Sequence, residues 1–503
     1  MGSTVNADTI IPAPVSQQND DGPPFRLRRD TQVVAEGAGA RDVAEYLAEL
    51  LRPATGWPLP VVEASEGRDI RLTIVDGDGA LGSYTLVAAE GGVSIEATTG
   101  AGLFNGVQSL RQLLPAEIEF TESVDIDWAV APVTITDTPR FAYRGAMLDV
   151  ARHFFDVNSV KRYIDDVARL KINYLHLHLT DDQGWRLEID GWPELTTIGA
   201  STSVDGDGGG FYTQSDYTQI VAYAASRFIT IVPEIDVPGH TNAALVAYPE
   251  LGGGGDFTPY EGVEVGFSSL DIRGEATYAF LDDVFRQVSA LTPGPYLHIG
   301  GDESLATTDE DFLYFAKRAT ALAASHGKTI IGWHELGKSR ELPAATVGQY
   351  WGFLRPEGDS ADEAMSFVER GGSLILSPAD VAYLDMKYDD DTEFGLQWAH
   401  GNTSLSDASS WEPTDVIPGV DNPQILGIEA PLWTETLTTI AEVEFMAFPR
   451  IAAIAEIAWS PRTDASERVG DLGPRLASFG RRLTLAGIAF HRSPEVEWDV
   501  AEH

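Results

Sequence analysis

Tyr143-Arg-Gly-Ala-Met-Leu-Asp-Val150 is the first of a series of short apolar runs on which the fold prediction depends. It follows Thr138-Pro139, and from there strand, loop and helix patterns repeat along the chain. Such a repeat implies parallel strands joined by crossover helices. The predicted strands are Tyr143–Val150, Asn173–Thr180, Ile229–Ile235, Tyr296–Gly300, Thr329–Trp333, Thr346–Tyr350, Ser373–Leu376 and Ile425–Ile428.

Eight such strands predict an α/β fold whose catalytic domain is a closed (β/α)8 TIM barrel. An open, doubly wound sheet is the alternative topology. That topology usually carries a glycine-rich phosphate loop at the start of the helix after its first strand, and this sequence has none there. We therefore expect the barrel.

The part of the chain before the barrel predicts a small α+β domain. Arg71–Val75 and Ser83–Ala88 alternate as strands do, and Gly102–Leu114 carries apolar residues at helical spacing. The predicted organisation is an N-terminal tail over 1–20, a non-catalytic α+β domain over 21–138 and the barrel over 139–503. No motif in the small domain indicates chemistry.

Composition narrows the function classes. With 43% hydrophobic and 22% charged residues, the chain is typical of a soluble globular protein, and it has no apolar run of the roughly 18 to 20 residues that a membrane span needs. Its formal net charge of −43 argues against nucleic acid as a partner. The chain has no cysteine, so neither disulfides nor thiolate chemistry are expected.

The first residues favour a cytoplasmic location. Met1–Asn19 contains neither a basic region nor an apolar region of the kind that begins a secretion signal. Secretion with a signal already removed is the alternative.

Polar and aromatic residues follow the predicted barrel strands where each strand ends. Barrel enzymes carry their chemistry at this carboxyl face, so these residues are expected to gather on one rim. They are Arg152, His153, Asp181, Asp182, Asp236, His240, Asp302, Glu303, Trp333, Trp351, Tyr383, Asp385, Trp433 and Glu435.

His298-Ile-Gly-Gly-Asp-Glu303 ends the fourth strand in two adjacent carboxylates. Two glycines let the backbone and a ligand approach closely. Adjacent acids disfavour each other's charge, so one of them should hold its proton more tightly, as a general acid near neutral pH must. A surface acidic pair at a helix start is the alternative, because acids are favourable there.

The eleven tryptophans weigh against that alternative. Trp333, Trp351 and Trp433 fall at predicted strand ends, whereas a tryptophan taken singly more often packs in a core. Sugars present apolar C–H faces on which such rings stack, while arginines and carboxylates bind the hydroxyls. The combination predicts a sugar pocket.

Five motifs together resemble the β-N-acetylhexosaminidases of glycoside hydrolase family 20, and the resemblance extends from about Phe25 to Arg462. They are Arg152-His-Phe-Phe155, His176-Leu-His-Leu-Thr-Asp-Asp-Gln-Gly-Trp185, Pro233-Glu-Ile-Asp-Val-Pro-Gly-His240, His298-Ile-Gly-Gly-Asp-Glu303 and Trp433-Thr-Glu435. The family carries a small non-catalytic domain before its barrel, as predicted here. The resemblance implies a retaining exo-hydrolase that releases terminal GlcNAc, and GalNAc, from chito-oligosaccharides or glycoconjugates, with GlcNAc preferred.

The resemblance also implies the mechanism and its three catalytic residues. In this family the substrate's own 2-acetamido oxygen attacks the anomeric carbon, giving an oxazolinium intermediate that water opens with net retention. Glu303 would protonate the leaving oxygen and then activate the water. Asp302 would accept the acetamido N–H, and Tyr383 would donate to the acetamido oxygen.

Further residues receive roles from the same resemblance. Trp333, Trp351 and Trp433 would wall the acetamido group and the sugar ring, and Trp398 would stack on the leaving sugar. Arg152, Asp385 and Glu435 would bind the hydroxyls of the terminal sugar. An Asp181–His240 pair would lie next to Glu303 and tune its pKa. The substrate is a small glycan, and neither a cofactor nor a metal is implied.

Three other readings compete with this one. His176-x-His178, with His240, His298, Asp236 and Asp302, could form the ligand set of a metal-dependent hydrolase. A non-catalytic sugar-binding protein on a decayed enzyme would keep the aromatic walls but lose the acid. A lacto-N-biosidase, which removes a disaccharide, is the third.

Overall fold

In the computed structural model, which describes residues 9–498, the chain divides into two compact units. The first comprises residues 1–142, 169–171 and 455–503, and the second comprises 143–168 and 172–454. Residues 1–8 of the predicted N-terminal tail lie outside the described residues.

The first unit contains a mixed seven-stranded sheet in the order β1-β9-β6-β7-β5-β3-β4, with β2 and β8 forming a separate antiparallel pair. The predicted strands and helix of the small domain appear here as β5, β6 and α2. The elements are β1 (Ser16–Asn19), β2 (Phe25–Arg26), β3 (Val33–Glu36), α1 (Ala40–Thr55), β4 (Val61–Val62), β5 (Ile70–Ile74), β6 (Tyr84–Ala89), β7 (Gly92–Ala97), α2 (Gly100–Leu113), β8 (Ala129–Val130) and β9 (Val133–Asp137).

The residue bounds of this unit differ from those predicted from the sequence. Residues 16–19, predicted as part of a tail, form β1 and pair antiparallel with β9. Residues 455–503, predicted as part of the barrel domain, group with the first unit. Side chains of that segment explain the grouping: Arg475 donates to the carbonyl of Ile10 at 3.0 Å, and Arg482 to the carbonyl of Arg111 at 3.0 Å. Both arginines are buried.

The second unit is a closed barrel in which all eight strands are parallel and adjacent in chain order. The predicted TIM barrel is confirmed, and each predicted strand appears within a few residues of its expected bounds. The strands are β10 (Tyr143–Asp149), β11 (Tyr174–His178), β12 (Thr230–Glu234), β13 (Tyr296–His298), β14 (Thr329–Trp333), β15 (Val347–Tyr350), β16 (Leu374–Leu376) and β17 (Ile425–Ala430).

Helices connect these strands, and several begin at a side-chain cap. Thr213 at the start of α5, Thr308 at α8 and Thr439 at α12 each accept from a backbone N–H of the first turn. The helices from α3 onward are α3 (Val157–Ala168), α4 (Glu194–Thr197), α5 (Gln214–Ala225), α6 (Asn242–Ala247), α7 (Glu275–Leu291), α8 (Asp309–Ser325), α9 (Ser360–Glu369), α10 (Ala379–Ala382), α11 (Leu405–Ser409), α12 (Ile440–Ala447), α13 (Arg450–Trp459) and α14 (Ala465–Ala486).

The interior of the barrel contains both apolar and charged side chains. One buried cluster joins Tyr143, Val232, Ile331, Val347 and Ile375 from five strands. Buried histidines and carboxylates of other strand positions form a separate polar group, described below. Within residues 9–498, none of the helices combines the length and the apolar character that crossing a membrane requires.

Candidate active site

A pocket of about 340 Å³ lies at the carboxyl face of the barrel. Eight of the residues around it are ones predicted from the sequence, and the other three, Val263, Val265 and Leu396, are apolar. The lining residues are Arg152, Val263, Val265, Asp302, Glu303, Trp351, Tyr383, Leu396, Trp398, Trp433 and Glu435. Its size and mixed lining are those of a small-ligand site.

The backbone after β13 places Asp302 and Glu303 at the pocket. Gly300 and Gly301 adopt φ of +63° and +104°, a region that favours glycine. A Cβ on Gly300 would lie 1.6 Å from Oδ1 of Asp236, and that same oxygen accepts from Gly301 N–H at 3.1 Å. Glu303 itself has a φ of +40°. Such backbone in a non-glycine residue is typical of functional sites.

Burial is the main influence on the pKa of Asp302, whose side chain is only 11% exposed. Burial raises the pKa of Asp302 to about 7, His240 opposes the rise, and the nearby charges of Glu335 and Glu303 add to it. Oδ1 of Asp302 has no hydrogen-bond partner among residues 9–498, so it can accept a donor from a ligand. Burial, more than the adjacent Glu303, therefore accounts for the raised pKa of Asp302.

His240 lies directly behind both carboxylates. Its Nε2 atom is 3.6 Å from Oδ2 of Asp302 and 3.5 Å from Oε2 of Glu303. Its Nδ1 atom is 3.2 Å from Oδ1 of Asp181. The carboxylates of Asp181 and Asp302 raise the pKa of His240 well above its ordinary value despite its burial. The predicted Asp181–His240 pair is thus adjacent to Glu303.

Arg152 forms the charged side of the pocket. Its guanidinium lies 2.9 Å from Oδ2 of Asp181 and 3.4 Å from Oδ2 of Asp149, and it also stacks 4.8 Å from the centre of the Trp433 ring. Glu435 is buried nearby, and its Oε2 atom has no hydrogen-bond partner within residues 9–498. A fixed cation beside a free carboxylate oxygen can bind sugar hydroxyls both as donor and as acceptor.

Aromatic rings form the rest of the wall. Tyr383 lies 6.1 Å from Trp433 and 5.7 Å from Trp398, measured between ring centres. Trp398 in turn meets Trp351 edge to face at 6.0 Å. Trp398 is 45% exposed, whereas Trp433 is 8% exposed. Both rings line the pocket, and the roles predicted for them, stacking on the leaving sugar for Trp398 and on the terminal sugar for Trp433, stay predictions.

Two of the residues predicted to bind substrate are buried next to the pocket without lining it. Trp333 is 1% exposed and packs in one cluster with Tyr383 and Trp433. Asp385 is equally buried, and burial and the charge of Glu435 raise its pKa well above the ordinary range. Contact of either residue with a ligand remains a prediction.

A network of buried charged groups continues from Asp181 into the barrel. Nε2 of His178 lies 2.8 Å from Asp181, and its Nδ1 atom bonds Glu234. His176 bridges Glu234 at 3.0 Å and Glu429 at 2.9 Å. The sequence analysis did not identify Glu234 or Glu429, which lie within strands and have no signal that distinguishes them from other strand residues.

This network bears on the metal-site alternative. Four buried triads of histidines and carboxylates each have their possible ligand atoms within 4.8 Å of one another. Two of these triads are His176–Glu234–His298 and Asp236–His240–Asp302. However, the carboxylates of Glu429 and Glu234 raise the pKa of His176 to about 9 against its burial. Both ring nitrogens of His176 already bond carboxylates, Nδ1 to Glu429 and Nε2 to Glu234, so an ion in this triad would have to displace one of these bonds.

Glu335 is a third acid that was not predicted from the sequence. It lies in a 3-10 helix, His334–Lys338, directly after β14. Its two carboxylate oxygens accept from Nε1 of Trp351 at 3.1 and 3.0 Å. In sequence Glu335 lies two positions after the rim residue Trp333, but no motif distinguishes it from other acids at a helix start.

The chain matches two family models that together span most of its length. Residues 141–462 match the catalytic domain of glycosyl hydrolase family 20, and residues 7–138 match domain 2 of the same family. The first match comprises the barrel strands and the rim residues described above.

Similar proteins carry the same description. A beta-N-acetylhexosaminidase from Cellulomonas fimi is 42% identical over 499 residues, covering 97% of each chain. The structure of a Streptomyces plicatus N-acetyl-beta-hexosaminidase in complex with Thio-NAglucal superposes with a TM-score of 0.94 at 48% identity, covering 98% of each chain. A GH20 beta-N-acetylhexosaminidase from Streptomyces coelicolor gives the same TM-score and identity, covering 98% of this chain and 99% of that chain.

Proposed function

Because the chain belongs to glycosyl hydrolase family 20, we propose that its pocket hydrolyses terminal β-linked N-acetylhexosamine from glycans with net retention. The enzyme is a glycoside hydrolase, and the reaction is substrate-assisted, as in its family. GlcNAc is the preferred sugar, and chito-oligosaccharides or glycoconjugates are the substrates. A similar N,N'-diacetylchitobiase from Vibrio harveyi, 28% identical over 90% of this chain, supports the chitin-derived substrates.

One observation carries the residue assignments: Asp302 and Glu303 line the same pocket, and Nε2 of His240 lies within 3.6 Å of both carboxylates. The two carboxylates can therefore act on neighbouring atoms of one ligand. Tyr383 lines the same pocket, so its hydroxyl can reach the acetamido group.

The reaction proceeds in two steps. First, the acetamido carbonyl oxygen forms a bond to the anomeric carbon while the glycosidic bond breaks, and Glu303 gives its proton to the leaving oxygen. Asp302 accepts the acetamido N–H and balances the positive charge of the oxazolinium ion. Then Glu303 takes a proton from water, whose oxygen attacks the anomeric carbon and reopens the ring.

The pocket walls promote this chemistry by restricting the substrate. Arg152 and Glu435 bind the sugar hydroxyls, and Trp433 packs against the ring. Trp351 and Tyr383 hold the acetamido group near attack distance on the anomeric carbon. Such positioning is worth several kcal/mol of barrier in comparable intramolecular reactions, about 7 to 11 at the most.

Paired aryl substrates test the mechanism directly. The enzyme should hydrolyse p-nitrophenyl N-acetyl-β-glucosaminide and leave the matching β-glucoside intact, and a thiazoline mimic of the oxazolinium ion should block it. Glu303→Gln should lower turnover by about a factor of 10² to 10⁴ and still bind the thiazoline. Equal hydrolysis of the glucoside would contradict substrate assistance, and release of disaccharide alone from glycans would contradict the exo-acting monosaccharide assignment.

A further inference from the structure

Glu335 is a largely buried acid that contacts the pocket residue Trp351 and has no role in the reaction described so far. Its side chain is 14% exposed. The charges of Glu335 and Asp302 interact, as do those of Glu335 and Glu303. A buried carboxylate beside two catalytic carboxylates is electrostatically costly, so a compensating benefit is expected.

The hydrogen bond to Trp351 is one such benefit. An indole N–H can only donate, and here it points between the two oxygens of one carboxylate at 3.1 and 3.0 Å. The other side of the same ring lines the pocket and meets Trp398 edge to face. The His334 ring packs against the Trp351 ring at 5.5 Å between centres, tilted by 55°. Glu335 therefore fixes the plane of a ring that contacts the ligand.

Charge is the second effect of Glu335. The groups that face Glu335 are Asp302, Glu303, Tyr383, His334, Lys338 and Glu363. Burial raises the pKa of Glu335 to about 7, while Trp351 and Lys338 hold it down and Glu303 raises it further. The pKa of Asp302 is also about 7. With each charge opposing the other, the two carboxyls titrate as a pair near neutral pH.

We propose that Glu335 is a positioning residue for hydrolysis: it orients Trp351 against the acetamido group, and its charge opposes ionisation of Asp302 before substrate binds. The inference rests on the proposed function, since it assigns Glu335 to that same pocket. Glu335 itself touches neither the reacting atoms nor the leaving group.

Two substitutions separate the two parts of this role. Glu335→Gln keeps an oxygen acceptor for Trp351 Nε1 and removes the charge, whereas Glu335→Leu removes both. For Glu335→Leu we expect kcat/KM on the aryl N-acetylglucosaminide to fall by about a factor of 100, because a ring displaced by about 1 Å has effects of that size. Thiazoline binding should weaken in parallel.

Glu335→Gln should recover most of the lost activity but change the pH profile. Without the neighbouring negative charge, Asp302 loses its proton more easily, so its pKa falls and the acid limb of kcat/KM moves to lower pH. A matched control is Glu369→Gln, which removes an exposed carboxylate paired with Arg340 at 2.9 Å. That variant should keep both the rate and the profile of the unmodified enzyme.

The results for these variants distinguish failure of the positioning role of Glu335 from failure of the proposed function. If the unmodified enzyme hydrolyses the acetamido substrate while Glu335→Leu keeps its kcat/KM, the positioning role is wrong and the proposed function stands. If Glu335→Leu fails to fold, Glu335→Gln decides, because an acid limb that stays in place overturns the charge role. If the unmodified enzyme does not hydrolyse the acetamido substrate, the proposed function itself fails.

Discussion

At the scale of single residues, the site places several charges so that each serves two partners. Asp181 accepts from Arg152 on one side and from His240 on the other. His240 in turn contacts Asp302 and Glu303. Removing one charge therefore leaves others buried and unpaired, which costs more than the lost bond itself.

The protonation of Asp302 predicts the acid limb of activity. Asp302 must be ionised to accept the acetamido N–H, and burial raises its pKa to about 7. We expect kcat/KM, which reports the free enzyme, to fall as pH drops through about 7. The acid limb of the kcat profile should lie at lower pH than that of kcat/KM, because the substrate N–H stabilises the Asp302 carboxylate in the complex. Initial rates across the pH range would measure both limbs.

Asp302→Asn is the control for that assignment. It should be slower by about a factor of 10² to 10³, since an amide cannot balance the oxazolinium charge. Its remaining activity should no longer titrate near pH 7. If the acid limb stays there in Asp302→Asn, another group sets it.

Arg152→Met tests the shared charges in both binding and stability. Asp149 and Asp181 would stay buried without their cation, so we expect the free energy of unfolding to fall by about 3 to 5 kcal/mol. KM should rise at least about tenfold, because a hydroxyl ligand is lost. Urea denaturation and steady-state kinetics measure the two effects. Arg340→Met, at an exposed pair with Glu369, should cost less than about 1 kcal/mol.

Prediction from sequence was possible for those site residues that lie in recognisable motifs. Asp302 and Glu303 end a strand after two glycines, and Tyr383 follows another strand, so their type and position together indicated a rim. Glu335 carried no such signal, because in sequence it resembles any acid at a helix start. Its importance depends on burial and on Trp351, which only the folded chain reveals.

At the scale of elements, the turns after the strands hold the site as much as the strands do. β13 is only three residues long, and Gly300 and Gly301 carry the chain from it to Asp302. The strands were predictable because parallel barrel strands are short apolar runs with helices between them. The close approach of Gly300 to Asp236 was not predictable, since these residues are 64 positions apart in the sequence.

Gly300→Ala tests that turn. A methyl group at Gly300 would lie 1.6 Å from Oδ1 of Asp236, so the turn must shift and carry Asp302 with it. We expect kcat/KM to fall by about a factor of 100 or more. Gly327→Ala is the matched control: its φ of +82° is equally left-handed, yet no atom lies within 4 Å of the added carbon.

The control separates backbone strain from collision. Gly327→Ala should cost about 1 to 2 kcal/mol of stability through its φ alone and leave kcat unchanged. Thermal unfolding and turnover, measured on both variants, give the comparison. Equal kinetics for the two variants would mean that the turn at Gly300 does not position the carboxylates.

At the scale of the whole molecule, the chain combines a closed barrel with an unusually acidic composition. Residues 455–503 group with the first unit because Arg475 and Arg482 donate to carbonyls of that unit, a long-range pairing with no local sequence signal. The chain has 77 acidic residues and only 34 basic ones. Many carboxylates therefore repel one another without a compensating cation.

This imbalance predicts that salt stabilises the protein. Self-repulsion at a net charge of −43 opposes the compact state, and raising NaCl from about 0.05 to 0.5 M shortens the screening length from roughly 14 to 4 Å. The melting temperature should rise with salt at pH 7. Near the sequence pI of about 4.4 the net charge vanishes, so the same salt increase should have little effect. An equal rise at both pH values would attribute it to salting-out of apolar surface instead, because that effect does not depend on net charge.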